Sequence, residues 1–127
     1  MAEGKKFLKL NDLSSYKLAY NLSNYIWQVV IKWDYFEKDT VGKQFVRAVD
    51  SISANIAEGF GRYSKKDKIK FFRISQGSIK ETLDWNEKSK TRGLISHEEY
   101  DKILKELLQL EKEINQLIKF TNEKLTI

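Results

Sequence analysis

Hydrophobic residues recur at spacings of three and four along most of the chain, a pattern that predicts helices rather than strands. The clearest example lies near the C-terminus, where Ser96 and Glu99 form a predicted capping box that follows Gly93. We expect this fourth helix to act as scaffold. Its apolar positions are Tyr100, Ile103, Leu104, Leu107, Leu110, Ile114, Leu117, Ile118 and Leu125.

A first helix is predicted from about Asp12, where Asp12 or Ser14 can act as the cap. Trp33, Tyr35 and Phe36 fall near its end, where we expect large aromatic side chains to plug a bundle rather than to form an exposed surface. The positions predicted to share one face of this helix are Tyr16, Ala19, Tyr20, Ser23, Ile26, Trp27 and Val30.

A second helix is predicted from Asp39 or Thr40 to Phe60. We expect Gly59 and Gly61 to end it, since glycine readily adopts the left-handed conformation found at helix ends. Its apolar face consists of Val41, Phe45, Ala48, Val49, Ile52 and Ile56.

A third helix is predicted over residues 65–90, with Ser64 as its cap. Its contact face is broad, which predicts either two packing partners, one of them in another copy of the chain, or a central helix in a monomeric bundle. The small residues Ser75, Ser78 and Thr82 lie in the middle of the face. Phe72, Ile79 and Leu83 lie on one flank, and Ile74 and Trp85 lie on the other.

Four helices with short connections predict an all-α fold, an antiparallel up-down-up-down four-helix bundle. We expect one domain over residues 1–127, with residues 1–11 as a loose N-terminal arm. Proline is absent and only six glycines are present, which agrees with a helical chain. The absence of cysteine excludes disulfides and thiolate chemistry, and no signal-like or membrane-spanning stretch occurs. A cytoplasmic protein without membrane contact is therefore expected.

The net charge of +5 is distributed unevenly. Six basic residues surround the single acid Asp67, so we expect this segment to bind an anionic partner, RNA or DNA, through its phosphates. Phe60 and Tyr63 lie beside it and could stack on unpaired bases, although packing in the core or at an interface is the expected role. The candidate nucleic-acid-binding residues are Arg62, Lys65, Lys66, Lys68, Lys70 and Arg73.

A polar row runs beside the apolar face of the second helix and comprises Gln44, Arg47, Ser51, Asn55, Glu58 and Arg62. Because arginines are available to neutralise Glu58 and Glu81, we interpret these residues as a structural network rather than as catalytic acids. The predicted network comprises Arg47, Ser51, Asn55, Glu58, Arg62, Ser78 and Glu81.

Other chemistries find little support in the sequence. His97 is the single histidine, beside Glu98 and Glu99 at a helix start, so a di-iron bundle with two Glu-x-x-His motifs is excluded. The run GFGR lacks the lysine and the preceding strand of a phosphate-binding loop. We therefore expect no enzyme activity, no metal and no cofactor.

Two stretches resemble a known family. The runs RAVDSISANIAEGFGRYS (47–64) and ISQGSIKE (74–81) are similar to the signature of the four-helix-bundle proteins of the 23S ribosomal RNA intervening-sequence family. The opening NDLSSYKLA resembles the start of the family's first helix, whereas the prolines that the family often has are absent here. The matching residues are Arg47, Ala48, Ser51, Ile52, Asn55, Ile56, Ala57, Glu58, Gly59, Gly61, Arg62, Ser64, Gly77, Ser78 and Glu81.

This resemblance implies a left-handed up-down bundle that assembles as a ring-like homopentamer. Many members are encoded inside insertions in ribosomal RNA genes, and a relative by fold, the accessory protein of diversity-generating retroelements, binds nucleic acid and a reverse transcriptase. No biochemical activity is established for the family as a whole. The resemblance favours association with RNA more than with DNA, and the alternative is a scaffold for a protein partner without direct nucleic-acid function.

Overall fold

A computed structural model describes residues 9–126 of the chain, and this part is helical without any strand. Four long helices form a four-helix bundle, preceded by a short 3-10 turn at Leu10–Asp12. The first eight residues of the predicted arm lie outside the described residues. The turn therefore occupies the part of the arm that is described.

Helix α1 spans Ser14–Val30, and α2 begins after a short turn. Helix α2 consists of an α-helical turn Tyr35–Glu37, a π-helical segment Lys38–Gly42 and a long α-helical part Lys43–Phe60. Helix α3 spans Lys65–Thr91 and α4 spans His97–Lys124. The largest fully buried side chains come from all four helices: Phe45, Phe72, Leu22, Ile26, Ile52, Ile56, Ile79, Ile103, Leu107, Leu110, Ile114 and Val49.

Each helix packs against two others in the chain, because α2 and α4 both contact α1 and both contact α3. The broad face of α3 is therefore covered by α2 and α4 of the same chain. Ser75, Ser78 and Thr82 are buried in the middle of this face, as predicted. On the α2 side Ile74 remains 43% exposed.

The predicted caps of α3 and α4 are confirmed. The Ser64 hydroxyl accepts a hydrogen bond from the Asp67 amide at 3.1 Å. Ser96 and Glu99 form the reciprocal capping box, with distances of 3.0 and 2.8 Å. Gly93 follows α3 with a φ of +72°, the left-handed conformation that favours glycine. These short-range signals were sufficient to place both helix starts.

The predicted left-handed ending of α2 is wrong. Gly61 has a φ of −80°, and Gly59 is buried within the last turn of the helix. A Cβ atom on residue 59 would lie 2.6 Å from the Phe72 ring and 2.9 Å from the Lys68 carbonyl oxygen. Glycine is required at position 59 by the close approach of α2 to α3 rather than by backbone conformation.

The prediction that the aromatic residues after α1 plug the bundle is confirmed for Trp33 and wrong for Tyr35 and Phe36. Trp33 packs against the core, but Tyr35 and Phe36 are 77% and 71% exposed. Helix α2 starts at Tyr35, earlier than predicted, and its first turn presents these rings outward. Trp27 is also 52% exposed, because the surface that α1 buries is centred on Ile26.

Candidate nucleic-acid interface

The basic segment predicted from the sequence begins between α2 and α3 and continues along the first half of α3. Lys66, Lys70 and Arg73 are exposed and lie at spacings of four and three, which places them along one outer side of the helix. We call these three residues the basic row. All three residues are therefore exposed to the solvent on this side of α3.

Lys65 and Lys68 have a different role. The Lys65 ammonium donates to the carbonyl oxygens of Asn122 and Leu125 at the end of α4, each at 3.3 Å. The Lys68 ammonium donates to the carbonyl oxygen of Phe60 at the end of α2, at 2.7 Å. Both lysines therefore donate hydrogen bonds to carbonyl groups that lack partners within their own helices. These carbonyl groups lie at the negative ends of the helix dipoles.

The environment of Lys68 is less polar than that of its neighbours. Partial burial lowers the pKa of the Lys68 ammonium, because a charged group is less well solvated there. The ammonium also lies 5.7 Å from the centre of the Phe60 ring. Neither Lys65 nor Lys68 is positioned like the basic row, so the structure separates these two lysines from the other candidates.

Arg62 is held by residues of its own chain. Its guanidinium forms an ion pair with Glu58 at 2.7 Å and lies 4.6 Å from the centre of the Phe71 ring. The Lys70 ammonium approaches the same ring at 5.7 Å. Phe71 thus lies between two cations, and the charge of Arg62 is balanced by Glu58.

A polar groove between α3 and α4 adjoins the basic row. Arg73 donates to the side-chain oxygen of Gln76 at 3.2 Å, and Gln76 donates to that of Asn115 at 2.7 Å. Lys80 and Glu111 form an ion pair at 2.6 Å across the same groove, whose volume is about 410 Å³. Sequence reasoning missed this groove, although residues 73, 76 and 80 share one side of α3.

The two aromatic residues at the basic segment differ in exposure. Phe60 is half-buried and lines a small apolar cavity with Phe72 and Leu117, which agrees with the predicted packing role. Tyr63 is 79% exposed, so it does not pack in the core of its own chain, and of the two predicted packing roles the interface one stays a prediction. Its ring is accessible beside the basic row.

The predicted polar network forms in part. Asn55 donates to the Ser51 carbonyl and hydroxyl oxygens at 2.8 and 2.9 Å, and the Ser78 hydroxyl donates to the Ser51 hydroxyl at 2.9 Å. This cluster joins α2 to α3. Within residues 9–126, neither Arg47 nor Glu81 makes a side-chain hydrogen bond or ion pair, because both point to the outside of the bundle.

The described residues contain no group of three or more histidine, aspartate or glutamate side chains that could hold a metal ion. His97 is exposed at the first position of α4, where Ser96 supplies the cap. In the described part of the chain, none of the helices combines the length and apolar character needed to cross a membrane.

Comparison with known proteins shows a family match over most of the chain. The family model described as 23S rRNA-intervening sequence protein matches residues 11–116. A crystal structure of a protein of unknown function from the S23 ribosomal protein family of Bacteroides thetaiotaomicron is similar, with a TM-score of 0.74 and 24% identity. The alignment covers 83% of this chain and 98% of that chain, and at this identity it shows the fold alone. None of the curated proteins is significantly similar to the chain.

Proposed function

Since the chain belongs to the 23S rRNA-intervening sequence protein family, we propose that it is a non-enzymatic, homo-oligomeric bundle that associates with RNA through the basic row of α3. The family's name links it to ribosomal RNA, which favours RNA over DNA as the nucleic acid. A cytoplasmic location is supported by the absence of cysteine from the sequence.

The observation that carries this proposal is the exposed position of Lys66, Lys70 and Arg73 along one side of α3. Their spacings of four and three place the charged groups in a line that a phosphate backbone can follow. Lysine and arginine neutralise phosphates and release counterions, which gives affinity without sequence specificity. Gln76 and Asn115 in the adjoining groove offer amide groups for further contacts to phosphate or sugar oxygens.

Tyr63 adds a second kind of contact to the same surface. Its ring is exposed in the turn that leads into α3, within a few residues of Lys66. A base that is unpaired in the RNA could stack on this ring, and stacking of this kind contributes about 1–3 kcal/mol per base. The proposed ligand is therefore a structured RNA with unpaired bases rather than a continuous duplex.

We also propose the antiparallel up-down-up-down arrangement and a ring-like homo-oligomer, a pentamer by family resemblance. The antiparallel arrangement is supported by two contacts between α2 and α3. Ser51 contacts Ser78, whereas Phe60, later in α2, contacts Lys68, earlier in α3. In the ring, the basic rows of several copies would contact one RNA together, which raises affinity through multivalency.

The test compares two triple variants of the purified protein in binding a structured ribosomal RNA fragment and a random DNA duplex across a salt series. The first variant carries Lys66→Glu, Lys70→Glu and Arg73→Glu. We expect its RNA affinity at low salt to fall at least tenfold. The logarithm of the RNA-binding constant should also fall less steeply with the logarithm of the salt concentration. The magnitude of this slope should decrease by about 2–3, as expected when three phosphate contacts are lost.

The control variant carries Lys9→Glu, Lys17→Glu and Lys105→Glu, which change the net charge equally. Lys9 and Lys17 lie at or near the start of α1, and Lys105 lies beside Tyr25 on the α1 side of α4. This variant should keep the slope of the unmodified protein. Equal losses in both variants would mean that net charge alone governs binding, and would contradict a localised site.

A second function, a scaffold for another protein without direct nucleic-acid binding, is favoured by the exposed rings of Tyr35 and Phe36. Exposed apolar groups that lie together mark protein interaction sites, and Tyr35 lies beside Trp27 and Ile31 in one groove. If the protein binds neither RNA nor DNA at low salt, the scaffold function replaces the proposal, and partners should be sought through this aromatic surface.

A further inference from the structure

Gly77 occupies an unexplained position in the middle of α3. Glycine weakens a helix relative to alanine, so a glycine inside a long helix needs a reason. Gly42 and Gly59 have one, because a Cβ atom at either position would lie 2.6 Å from a side chain of a neighbouring helix. At Gly77 nothing lies within 4 Å of the position of a Cβ atom. Packing within the described chain therefore does not require this glycine.

The surroundings of Gly77 on the α2 side are suited to a protein contact. Ile74 and Glu81 are exposed at spacings of three and four from Gly77, and we call these three residues the Gly77 face. On the other side, Arg73 and Lys80 are drawn towards α4 by Gln76 and Glu111. The Gly77 face therefore combines an apolar side chain, an open glycine and a carboxylate.

A second surface without a partner in the chain lies between α1 and α2. Trp27, Ile31, Tyr35 and Val46 line an open groove of about 420 Å³, and we call them the Trp27 face. Trp27, Ile31 and Tyr35 are exposed to the solvent, and large side chains together in this way mark a protein contact.

The rim of the Trp27 face is cationic. Lys38, Lys43 and Arg47 line the groove with one acid, Asp39, which pairs with Lys43 at 3.0 Å. Within residues 9–126, Lys38 makes no ion pair. Across a contact between the two faces, its ammonium would complement the Glu81 carboxylate, which is also without an ion pair in the described chain.

The two faces also have a suitable relative position. Helix α2 contacts both α1 and α3, so the α1–α2 side and the α2–α3 side of the bundle are adjacent and share α2. Adjacent sides of a four-helix bundle face about 90° apart. Head-to-tail contacts between two unlike faces at about this angle close into a ring of about four or five copies, with α2 nearest the axis.

We infer that the Trp27 face of one copy packs on the Gly77 face of the next copy, with an aromatic side chain against the backbone at Gly77. This inference rests on the homo-oligomer in the proposed function and names the surfaces that form it. Lys66 and Arg73 lie towards the α4 side of the outer surface of α3 and stay accessible in this assembly, whereas Lys70, four residues before Ile74, lies at the edge of the contact. Trp27 and Tyr35 are then covered by a second copy rather than by another protein.

The absence of cysteine from the sequence allows a direct test by cross-linking. A variant with both Lys38→Cys and Glu81→Cys should form, under mild oxidation, a ladder of covalent oligomers that ends at the closed ring. Each single variant should remain uncross-linked, whereas a mixture of the two single variants should give dimers. Efficient dimer formation by either single variant alone would indicate a symmetric contact and overturn the inference.

A second variant, Gly77→Gln, tests the close approach of the next copy to the α3 backbone at Gly77. Glutamine is a good helix former, so the helix itself is not weakened. We expect the oligomer to dissociate at a protein concentration at least tenfold higher than for the unmodified protein, with no loss of helix content. Lys112→Gln, at an exposed position of α4, which takes no part in either face, is the control and should leave assembly unchanged.

The outcomes separate this inference from the proposed function. An oligomer that neither cross-links through residues 38 and 81 nor responds to Gly77→Gln would overturn the pairing of these faces and leave the homo-oligomer intact. A protein that remains monomeric at all concentrations in light scattering would overturn both.

Discussion

The ring of Phe72 in α3 lies against Gly59 in α2 so closely that a Cβ atom on residue 59 would be 2.6 Å from the ring. Both residues are buried. The contact brings the end of α2 against the first half of α3, where the Phe60 carbonyl meets the Lys68 ammonium at 2.7 Å. The close packing at Gly59 therefore positions the helix that carries the basic row.

Gly59→Ala should destabilise the protein although alanine is the better helix former. The methyl group has to displace the Phe72 ring or the α3 backbone, and such overpacking costs about 1–3 kcal/mol. Urea unfolding followed by circular dichroism measures the change. Gly61→Ala is the matched control, since a Cβ there would meet carbonyl oxygens at 3.7 Å and the backbone is right-handed. Equal stabilities of the two variants would contradict the packing at Gly59.

Ser78→Ala should reduce stability by about 1 kcal/mol, because the Ser78 hydroxyl donates to Ser51 in a partly buried contact between α2 and α3. Ser51→Ala should have a similar effect, and the double variant should lose less than the sum of the two. The free energies of unfolding of the four proteins give the coupling. Ser53→Ala is the control, because its long hydrogen bond of 3.3 Å stays within one helix. A double variant with additive losses would show that the two hydroxyls act independently.

Lys68→Met and Lys66→Met should separate stability from RNA binding. The Lys68 ammonium donates a hydrogen bond to the Phe60 carbonyl, so Lys68→Met should lower the free energy of unfolding by about 1 kcal/mol. Lys66 is exposed, so its replacement should leave stability within about 0.5 kcal/mol and weaken RNA binding more than Lys68→Met does. Denaturant unfolding and RNA titration at one salt concentration measure both quantities. The reverse pattern would show that Lys68 rather than Lys66 contacts RNA.

Asp50 should make stability depend on pH. Partial burial raises the pKa of the Asp50 carboxyl in the folded protein, because the charged form is less well solvated there. A raised carboxyl pKa means that the folded state binds the proton more tightly, so ionisation of Asp50 opposes folding above that pKa. Asp50→Asn should therefore be more stable than the unmodified protein at neutral pH.

The difference in the free energy of unfolding between Asp50→Asn and the unmodified protein should shrink as the pH falls through the raised pKa. The Asp50 carboxyl of the unmodified protein then becomes protonated, and its charge no longer opposes folding. Unfolding midpoints of both proteins at a series of pH values measure this effect. Asp84→Asn serves as a comparison at an exposed carboxylate that pairs with Lys88. A constant difference between Asp50→Asn and the unmodified protein at all pH values would show that the Asp50 pKa is not raised.

The helices and the caps of α3 and α4 could be predicted because their causes are local in the sequence. The predicted cap of α1, Asp12 or Ser14, is wrong, since Leu13 precedes the helix and no side chain caps it. Ser96 and Glu99 lie three residues apart, and the apolar period of α4 is set by the geometry of one helix. The start of α2 could not be placed in this way. Tyr35 and Phe36 enter the helix ahead of the predicted start, and a π-helical segment follows them.

The candidate site could be predicted as a segment but not as a set of functional groups. The sequence alone does not distinguish Lys65, Lys66 and Lys68, because all three are lysines that lie close together in the chain. Lys65 differs from Lys66 since its ammonium reaches the carbonyl of Asn122 at the far end of the chain. Such a contact depends on where α4 ends relative to the start of α3.

The sequence by itself determined the four helices, their amphipathic faces, the caps of α3 and α4 and the concentration of basic residues after α2, since each depends on residues a few positions apart. The tertiary structure decided which lysines bond to helix-end carbonyl groups and which do not. It also decided that position 59 has room only for glycine and that Tyr63 and Tyr35 are exposed. These properties depend on which helix surfaces meet, and that is set by packing between residues distant in the sequence.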